Sequence, residues 1–356
     1  MENVSVLAIT KNGIKIGEKL KGLYPNWNIF APEKLSNKNN EIIWYSEGTT
    51  NKIIELFKNS NALICLFWLG AVIRLIAPHL KDKKTDPAVI VIDDNANFVI
   101  SVLSGHLGGA NELSNEIAEK MGSTPIITTA ADVNKTVAVD LVGREFGWKI
   151  NDDSNVTRIS AFMVNKEKIG VFQNIGKKEW WKGKLPENIT FFSDMKELKD
   201  SDSKAYLIIT NDEINDEEVE KDSVVYRVPN LVVGIGLHWN TSKETILNGV
   251  NETLEKFELK QNQIARFVSI KKDKDVIGLI ELGKEMNVPI EYIDREELAT
   301  ITAPNPSKTV QAFEGTASVS EAAAIKSSEG ELIVEKQKFP PNLTVAIARM
   351  IKWKED

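Results

Sequence analysis

Residues 101–111 read Ser-Val-Leu-Ser-Gly-His-Leu-Gly-Gly-Ala-Asn, and this stretch holds the residue types and spacing best suited to chemistry. An apolar run, Phe98–Leu103, stops at a glycine-rich turn carrying one histidine, His106, and a helical pattern starts at Asn111. A strand that passes through glycines into a helix N-terminus points backbone N–H groups at a ligand, and the helix dipole there favours negative charge. A histidine in such a turn can move protons near neutral pH. His106 is therefore the candidate acid–base group. Ser104, Gly105, Gly108, Gly109 and Asn111 are the candidate contacts of an anionic substrate. The glycines suit positions of positive φ or of close ligand approach. Asn111 or Ser114 can also serve simply as the helix cap. Ser104 lacks the spacing of a nucleophile elbow.

Other charged residues stand where a ligand could use them. Arg74 interrupts the apolar helical stretch Ala71–Ala77, so its guanidinium must be paired or face a cleft. Lys81-Asp-Lys-Lys-Thr-Asp86 follows, with Lys83 and Lys84 as candidate carboxylate contacts. Asp93 and Asp132 follow strand ends, the edge at which parallel α/β sheets bind ligands, and Asp132 is the second candidate proton-transfer group. A second glycine loop, Gly234-Ile-Gly236, runs on through His238 to Ser242. It lacks the third glycine of a dinucleotide fingerprint, so Gly234 and Gly236 point to an anion site. Pro304-Asn-Pro-Ser307 is a rigid loop, and Lys336-Gln-Lys338 is a basic strand end. Either could close over an anion. The three histidines are too scattered for a metal motif, so no catalytic metal is expected.

The elements that must position these groups alternate. Val4–Ile9, Ala62–Leu66, Ala88–Asp93, Phe98–Leu103 and Ile126–Thr128 read as strands, with Asp94–Asn97 as a hairpin turn between the third and fourth. Gly13–Leu23, Thr50–Lys58, Val72–Ala77, Asn111–Met121 and Val137–Phe146 read as helices. The alternation predicts a layered α/β domain with a largely parallel sheet over residues 1–133. Residues 134–228 form a small α/β middle region, with short strands at Ala161–Val164, Lys168–Gln173, Ile189–Phe192, Ala205–Thr210 and Val224–Val228 joined by polar connectors. Trp180 and Trp181 lie in a loop there and are expected to pack onto the region. Residues 229–356 form a separate α/β domain. Its strands are Leu231–Gly236, Phe267–Ile270, Ile290–Ile293, Leu332–Glu335 and Thr344–Ala348, and its helices are Ser242–Glu255, Val276–Met286 and Ser318–Lys326. Ser318 and Glu321 are spaced as a capping box.

Composition narrows the class. The chain has 356 residues, 42% hydrophobic and 27% charged, which is ordinary for a globular protein. The net charge is −7, and residues 191–222 alone carry eleven Asp and Glu against four Lys. The rest is balanced, so no basic stripe marks nucleic acid as a partner. The lone cysteine, Cys65, sits in an apolar run and is expected to be buried and structural. No apolar run reaches the roughly 18 residues that span a bilayer. The N-terminus reads as a strand and not a signal peptide, so a cytoplasmic, membrane-free enzyme is expected.

Several runs together carry a resemblance. They are Leu69-Gly-Ala-Val-Ile-Arg-Leu-Ile-Ala-Pro78, Lys81-Asp-Lys-Lys-Thr-Asp-Pro87, Leu103-Ser-Gly-His-Leu-Gly-Gly-Ala-Asn-Glu-Leu113 and Ile127-Thr-Thr-Ala-Ala-Asp132. With them go Gly234-Ile-Gly236, Pro304-Asn-Pro-Ser307, Ala317–Ala324, Lys336-Gln-Lys338 and Asn342–Arg349. The chain resembles the cobalt-precorrin-5A hydrolases (CbiG type) of anaerobic cobalamin biosynthesis over nearly its whole length. The resemblance implies a hydrolase that opens the δ-lactone of cobalt-precorrin-5A and releases acetaldehyde, leaving cobalt-precorrin-5B. It implies no separate cofactor, since the cobalt arrives inside the substrate, and neighbouring pathway enzymes as further partners. A macrocycle rimmed with carboxylates needs anion contacts across a wide cleft, and Arg74, Lys83, Lys84 and Lys336 are the candidates. His106 would then be the general base, with the Gly108 and Gly109 amides at the oxyanion. His106 or Asp132 would move the proton as acetaldehyde leaves. The family's Gly-x-Gly is followed by a Cys and basic residues. This chain reads Leu237-His-Trp-Asn-Thr241 there, which moves any binding role of the loop to His238. The competing class is a non-catalytic tetrapyrrole carrier or scaffold, which would bind the macrocycle and release nothing.

Overall fold

The computed structural model describes residues 1–181 and 184–350. It contains three α/β sheets in two compact units, one of residues 1–141 with 163–165, the other of 142–162 with 166–356.

The first unit holds a seven-stranded sheet of β1 (Val4–Ala8), β2 (Asn28–Pro32), β3 (Ile42–Tyr45), β4 (Ala62–Leu66), β5 (Ala88–Ile92), β6 (Phe98–Leu103) and β7 (Thr124–Ile126), in the order β3-β2-β1-β4-β5-β6-β7. Strands β1 to β5 run parallel, β6 is antiparallel to β5, and β7 is parallel to β6. Helices α1 (Lys11–Leu23), α2 (Thr49–Asn59), α3 (Leu69–Ile76), α4 (Ala110–Met121) and the single-turn α5 (Ala130–Val133) connect them. Both faces of the sheet are covered. Ile64, Leu66, Ile90 and Ile92 enter one apolar cluster, while Leu63, Cys65, Val89 and Val91 enter the other. A sheet buried on both faces explains why β4 and β5 read as unbroken apolar runs. Cys65 is fully buried as expected, and burial pushes its thiol pKa well up.

Some expectations move. The strand placed at 126–128 is seen at Thr124–Ile126. The helix expected over 137–146 is two separate 3-10 turns, Val139–Leu141 and Arg144–Phe146. Gly143 and Gly147 both take left-handed φ there, and the space beside Gly143 is filled by the Trp148 ring, so a continuous helix is not available. β2 and β3 carried no clear alternation in the sequence and are found only in the fold.

The second unit contains two five-stranded sheets. The middle sheet joins β8 (Lys149–Ile150), β9 (Ile169–Gln173), β10 (Ile189–Phe192), β11 (Ala205–Ile209) and β12 (Ser223–Arg227) in the order β10-β9-β11-β12-β8, parallel except for β8. The strand expected at 161–164 is the end of helix α6 (Val156–Val164). Buried Val156, Ile159 and Met163 recur there at helical spacing, and that period outweighs the β-branched content. Two expected polar connectors are short helices, α7 (Met195–Asp200) and α8 (Glu217–Lys221). Asp194 caps the first and Asp216 the second by accepting from first-turn amides. Trp180 is buried, with its indole N–H donating to Gln173 Oε1 at 3.0 Å.

The C-terminal sheet joins β13 (Leu231–Leu237), β14 (Ile264–Ile270), β15 (Ile290–Ile293), β16 (Glu331–Phe339) and β17 (Leu343–Arg349) in the order β15-β14-β13-β17-β16. Its helices are α9 (Lys243–Lys256), α10 (Ile277–Met286), α11 (Arg295–Ala299), α12 (Lys308–Glu314) and α13 (Val319–Ser328). The capping box expected at α13 does not form. Ser318 makes no side-chain bond to the first-turn amides, and the Glu321 carboxylate is bonded by Asn305 and Lys336 instead. Among the described residues no helix is long and apolar enough to cross a membrane.

Candidate active site

β6 runs against β5, with Leu103 opposite Val89, so the turn after β6 lies at the edge where β4 and β5 begin. Asp93, at the far end of β5, lies at the opposite edge from Asp132. It accepts from the amides of Phe98 and Asn95 as a hairpin turn residue and has no place in the His106 site.

The glycines of the turn let the chain fold on itself. A Cβ on Gly105 would meet Asn111 Oδ1 at 2.6 Å, and one on Gly108 would meet the Ser104 Cβ at 2.3 Å. Close approach by the protein's own atoms is one reason for glycine at these two positions. Gly109, with φ of +81°, is the residue that caps α4, so neither Asn111 nor Ser114 does so. The Gly109 amide donates to the His106 carbonyl at 3.0 Å, which leaves Gly108 alone of the two expected oxyanion amides without such a bond. Ser104, itself at φ of +55°, donates its hydroxyl to the Asp86 carbonyl at 2.9 Å and so ties the turn to the entry of β5.

That packing places His106 between two carboxylates. Its Nδ1 is 3.2 Å from Asp140 Oδ1, and its Nε2 is 3.0 Å from Asp132 Oδ2. The His106 and Asp140 side chains are 17% and 16% exposed, and that of Asp132 is 43% exposed, so Asp132 is the end that meets solvent. Asn111, buried in the first turn of α4, accepts from the Ser101 hydroxyl at 2.7 Å and donates to Thr129 Oγ1 at 2.9 Å and Asp132 Oδ2 at 2.8 Å. It is the brace that aims Asp132 at the imidazole.

The electrostatics follow from this chain. The hydrogen bond to Asp140 raises the His106 pKa above its usual value, against the cost of burial, and Asp132 adds to the rise. Burial pushes the Asp140 carboxyl up, but the His106 contact and the nearby Lys83 charge outweigh it and hold it below the usual range. Both carboxylates favour the protonated imidazole, so His106 is more basic than a free histidine side chain and is placed to take or give a proton.

The stability sign is fixed by the same shifts. A raised His106 pKa contributes stability that is full below about pH 6.5 and is lost as pH rises through the folded value. A lowered Asp140 pKa contributes stability that is full above about pH 3.9 and is lost as pH falls through the folded value. Asp140→Asn is expected to lower the thermal midpoint most between about pH 4 and 6.5, with the difference shrinking toward pH 9. Thermal melts of both proteins across that range check this, and a deficit that stays constant would show the pair is not the cause.

The remaining candidates separate. Lys83 acts on Asp140, and Lys84 donates its amide to Asp82 Oδ1 in the same loop. Arg74 is exposed, its guanidinium donates to the Gly70 carbonyl of its own helix at 3.3 Å, and among the described residues it has no carboxylate partner. Gly236 and Lys336 line a single cavity in the second unit, and exposed His238 lines it too. Gly234 does not line it. It is buried under α13, where a Cβ would lie 1.9 Å from the Ser320 carbonyl oxygen, so its role is strand-to-helix packing. Among the described residues no group of three or more His, Cys, Asp or Glu is arranged to hold a metal ion. Asp140 and Thr129 were not legible in the sequence. Asp140 stands 34 residues from His106, inside a segment that reads as a helix, and no local pattern ties the two.

Comparison with known proteins gives the class first. Family models described as cobalamin synthesis G N-terminal, cobalamin biosynthesis central region and cobalamin synthesis G C-terminus match residues 51–132, 137–227 and 231–348. A protein named cobalt-precorrin-5A hydrolase from Priestia megaterium is 37% identical over 351 residues, 97% of this chain and 94% of that one. A protein of the same name from Salmonella typhimurium is 29% identical over 344 residues, 94% of each chain. The chain belongs to the cobalt-precorrin-5A hydrolase family.

Proposed function

We propose that this chain is a cobalt-precorrin-5A hydrolase, with the Asp140–His106–Asp132 chain as its proton-transfer centre. The observation that carries the reading is this hydrogen-bonded triad, buried at Asp140 and open to solvent at Asp132, in a chain 37% identical to a named hydrolase over 97% of its length. Water adds to the lactone carbonyl, and Asp132, at the exposed end, takes its proton. The acyl C–O bond breaks, leaving a carboxylic acid on the macrocycle, whose proton passes to solvent, and an alkoxide on the two-carbon unit. The alkoxide oxygen re-forms a C=O as the carbon–carbon bond to the ring breaks, and acetaldehyde leaves. The electron pair of that bond stays with the macrocycle, and His106, as general acid, gives the proton that neutralises the charge developing there. The Gly108 amide and the N-terminus of α4 stabilise the oxyanion. Asp140 orients the imidazole and raises its basicity. The only cobalt in this reaction is the substrate's.

The experiment is acetaldehyde release from cobalt-precorrin-5A by the purified chain with chelator present. Catalytic release is expected. Binding without release would replace the hydrolase with a carrier, and release abolished by chelator would overturn the cofactor-free reading.

A further inference from the structure

The second unit holds a cavity of about 780 Å3 at the end of β13, lined on one side by Gly236, Ser318 and Lys336 and on another by Pro304–Ser307. That volume falls within the range of small-molecule sites. Its charges are unequal. Lys272 is paired with Glu314, Nζ to Oε1 at 2.8 Å, so that cation and the only carboxylate of the lining cancel. Lys336 and Lys338 remain. The Lys336 ammonium donates to the Asn305 carbonyl and stands 3.5 Å from Ser318 Oγ, and among the described residues it has no carboxylate within ion-pair reach. Burial pushes its pKa below the usual value against the opposing charge of Glu321, and Lys338 adds to the drop. A half-buried ammonium with no carboxylate in contact is a place where an incoming carboxylate gains a strong, charge-assisted bond. Leu237, Val319, Phe339 and Leu343 supply apolar wall beside it.

One buried group has no part in the proton-transfer centre. Glu321 is fully buried in α13. Its carboxylate accepts from the Asn305 amide at 3.1 Å, the Asn305 side-chain amide at 2.8 Å and the Lys336 amide at 3.1 Å. Burial pushes its pKa up, but these donors outweigh burial and hold it below the usual range. Glu321 thus grips the backbone on both sides of the Lys336 ammonium; its charge acts on that ammonium from a distance, and the two groups make no direct contact.

We propose that this cavity is a carboxylate subsite of the enzyme: the Lys336 ammonium receives one acidic side arm of the tetrapyrrole, and Glu321 is the positioning residue that holds the Asn305 loop and the Lys336 strand around it. The identity of the ligand rests on the hydrolase reading, while the existence of the subsite does not.

The probe is uroporphyrin, a tetrapyrrole with carboxylates around its rim, titrated into the full chain by absorbance at several salt concentrations. Lys336→Met, on an edge strand, is expected to weaken binding about tenfold and to flatten its salt dependence, while Lys336→Arg stays within about threefold. Glu321→Gln is expected to weaken binding in the same direction, with rescue of neither affinity nor salt slope by added Lys338→Arg. With cobalt-precorrin-5A, Lys336→Met raises KM about tenfold and leaves kcat within about twofold. Unchanged affinity and salt slope in Lys336→Met would overturn the subsite. If binding depends on Lys336 but no acetaldehyde is ever released, the hydrolase reading fails and the subsite stands. If Lys336→Met turns over with wild-type KM, the subsite fails and the hydrolase stands.

Discussion

His106→Ala is expected to cut acetaldehyde release from cobalt-precorrin-5A by about 10²–10⁴-fold, the range typical of a lost general acid–base group. The loss should fall on kcat, because the imidazole sits between Asp140 and Asp132 and not among the candidate carboxylate contacts. Folding should survive. The turn is held by backbone bonds, Ala110 to Ser104 at 3.1 Å and Asn111 to Gly105 at 3.0 Å, none of which uses the imidazole. Circular dichroism and a thermal melt of the variant separate chemistry from folding. A folded His106→Ala protein with full turnover would remove His106 from the mechanism. Asp140→Asn should keep part of the activity and move the basic limb of the rate profile to lower pH, because the partner that holds the imidazole proton is weakened. A purely structural Asp140 would lower the amount of folded enzyme and leave that limb in place.

Gly234→Ala is expected to destabilise the second unit by about 3 kcal/mol or more, at the upper end of overpacking costs. The added methyl would stand 1.9 Å from the Ser320 carbonyl oxygen and 2.9 Å from both the Ala324 amide nitrogen and its Cβ. These are atoms of a buried helix in close contact with β13, and α13 would have to lift off the sheet to admit the group. For a unit of this size the thermal midpoint should fall by about 6–12 °C. The molecules that remain folded should show wild-type KM. Unchanged stability with raised KM would return Gly234 to the binding role that its Gly-Ile-Gly setting suggests.

The two expectations divide along a line visible in particular residues. The Ser104–Asn111 turn is legible because its information is local: an apolar run, glycines at fixed offsets and a helical period within a few residues. β4 and β5 are legible for the same reason, since a sheet covered on both faces leaves an unbroken apolar run. The helix at 156–164 is open to reading from Val156, Ile159 and Met163, but the short window Ala161–Val164 is an apolar run too short to show a helical period. The 137–146 segment failed because Gly143 and Gly147 take left-handed φ, and at Gly143 the Trp148 ring fills the space a side chain would need.

By itself the sequence determined the α/β class, the buried Cys65, the position of the histidine turn and the family resemblance, all of which follow from period, composition and local turn chemistry. Tertiary structure alone decided the site's membership. The reversal of β6 carries His106 to the edge away from Asp93, and chain folding brings Asp140 to 3.2 Å of the imidazole. Packing of α13 on β13 turned Gly234 from a ligand contact into a helix seat, and the Asn305 loop drew Glu321 away from a capping box. The physical reason is one of range: dihedral preference and side-chain period act over a few residues, whereas strand order and helix packing set which distant groups share a low-dielectric pocket and so which protons they hold.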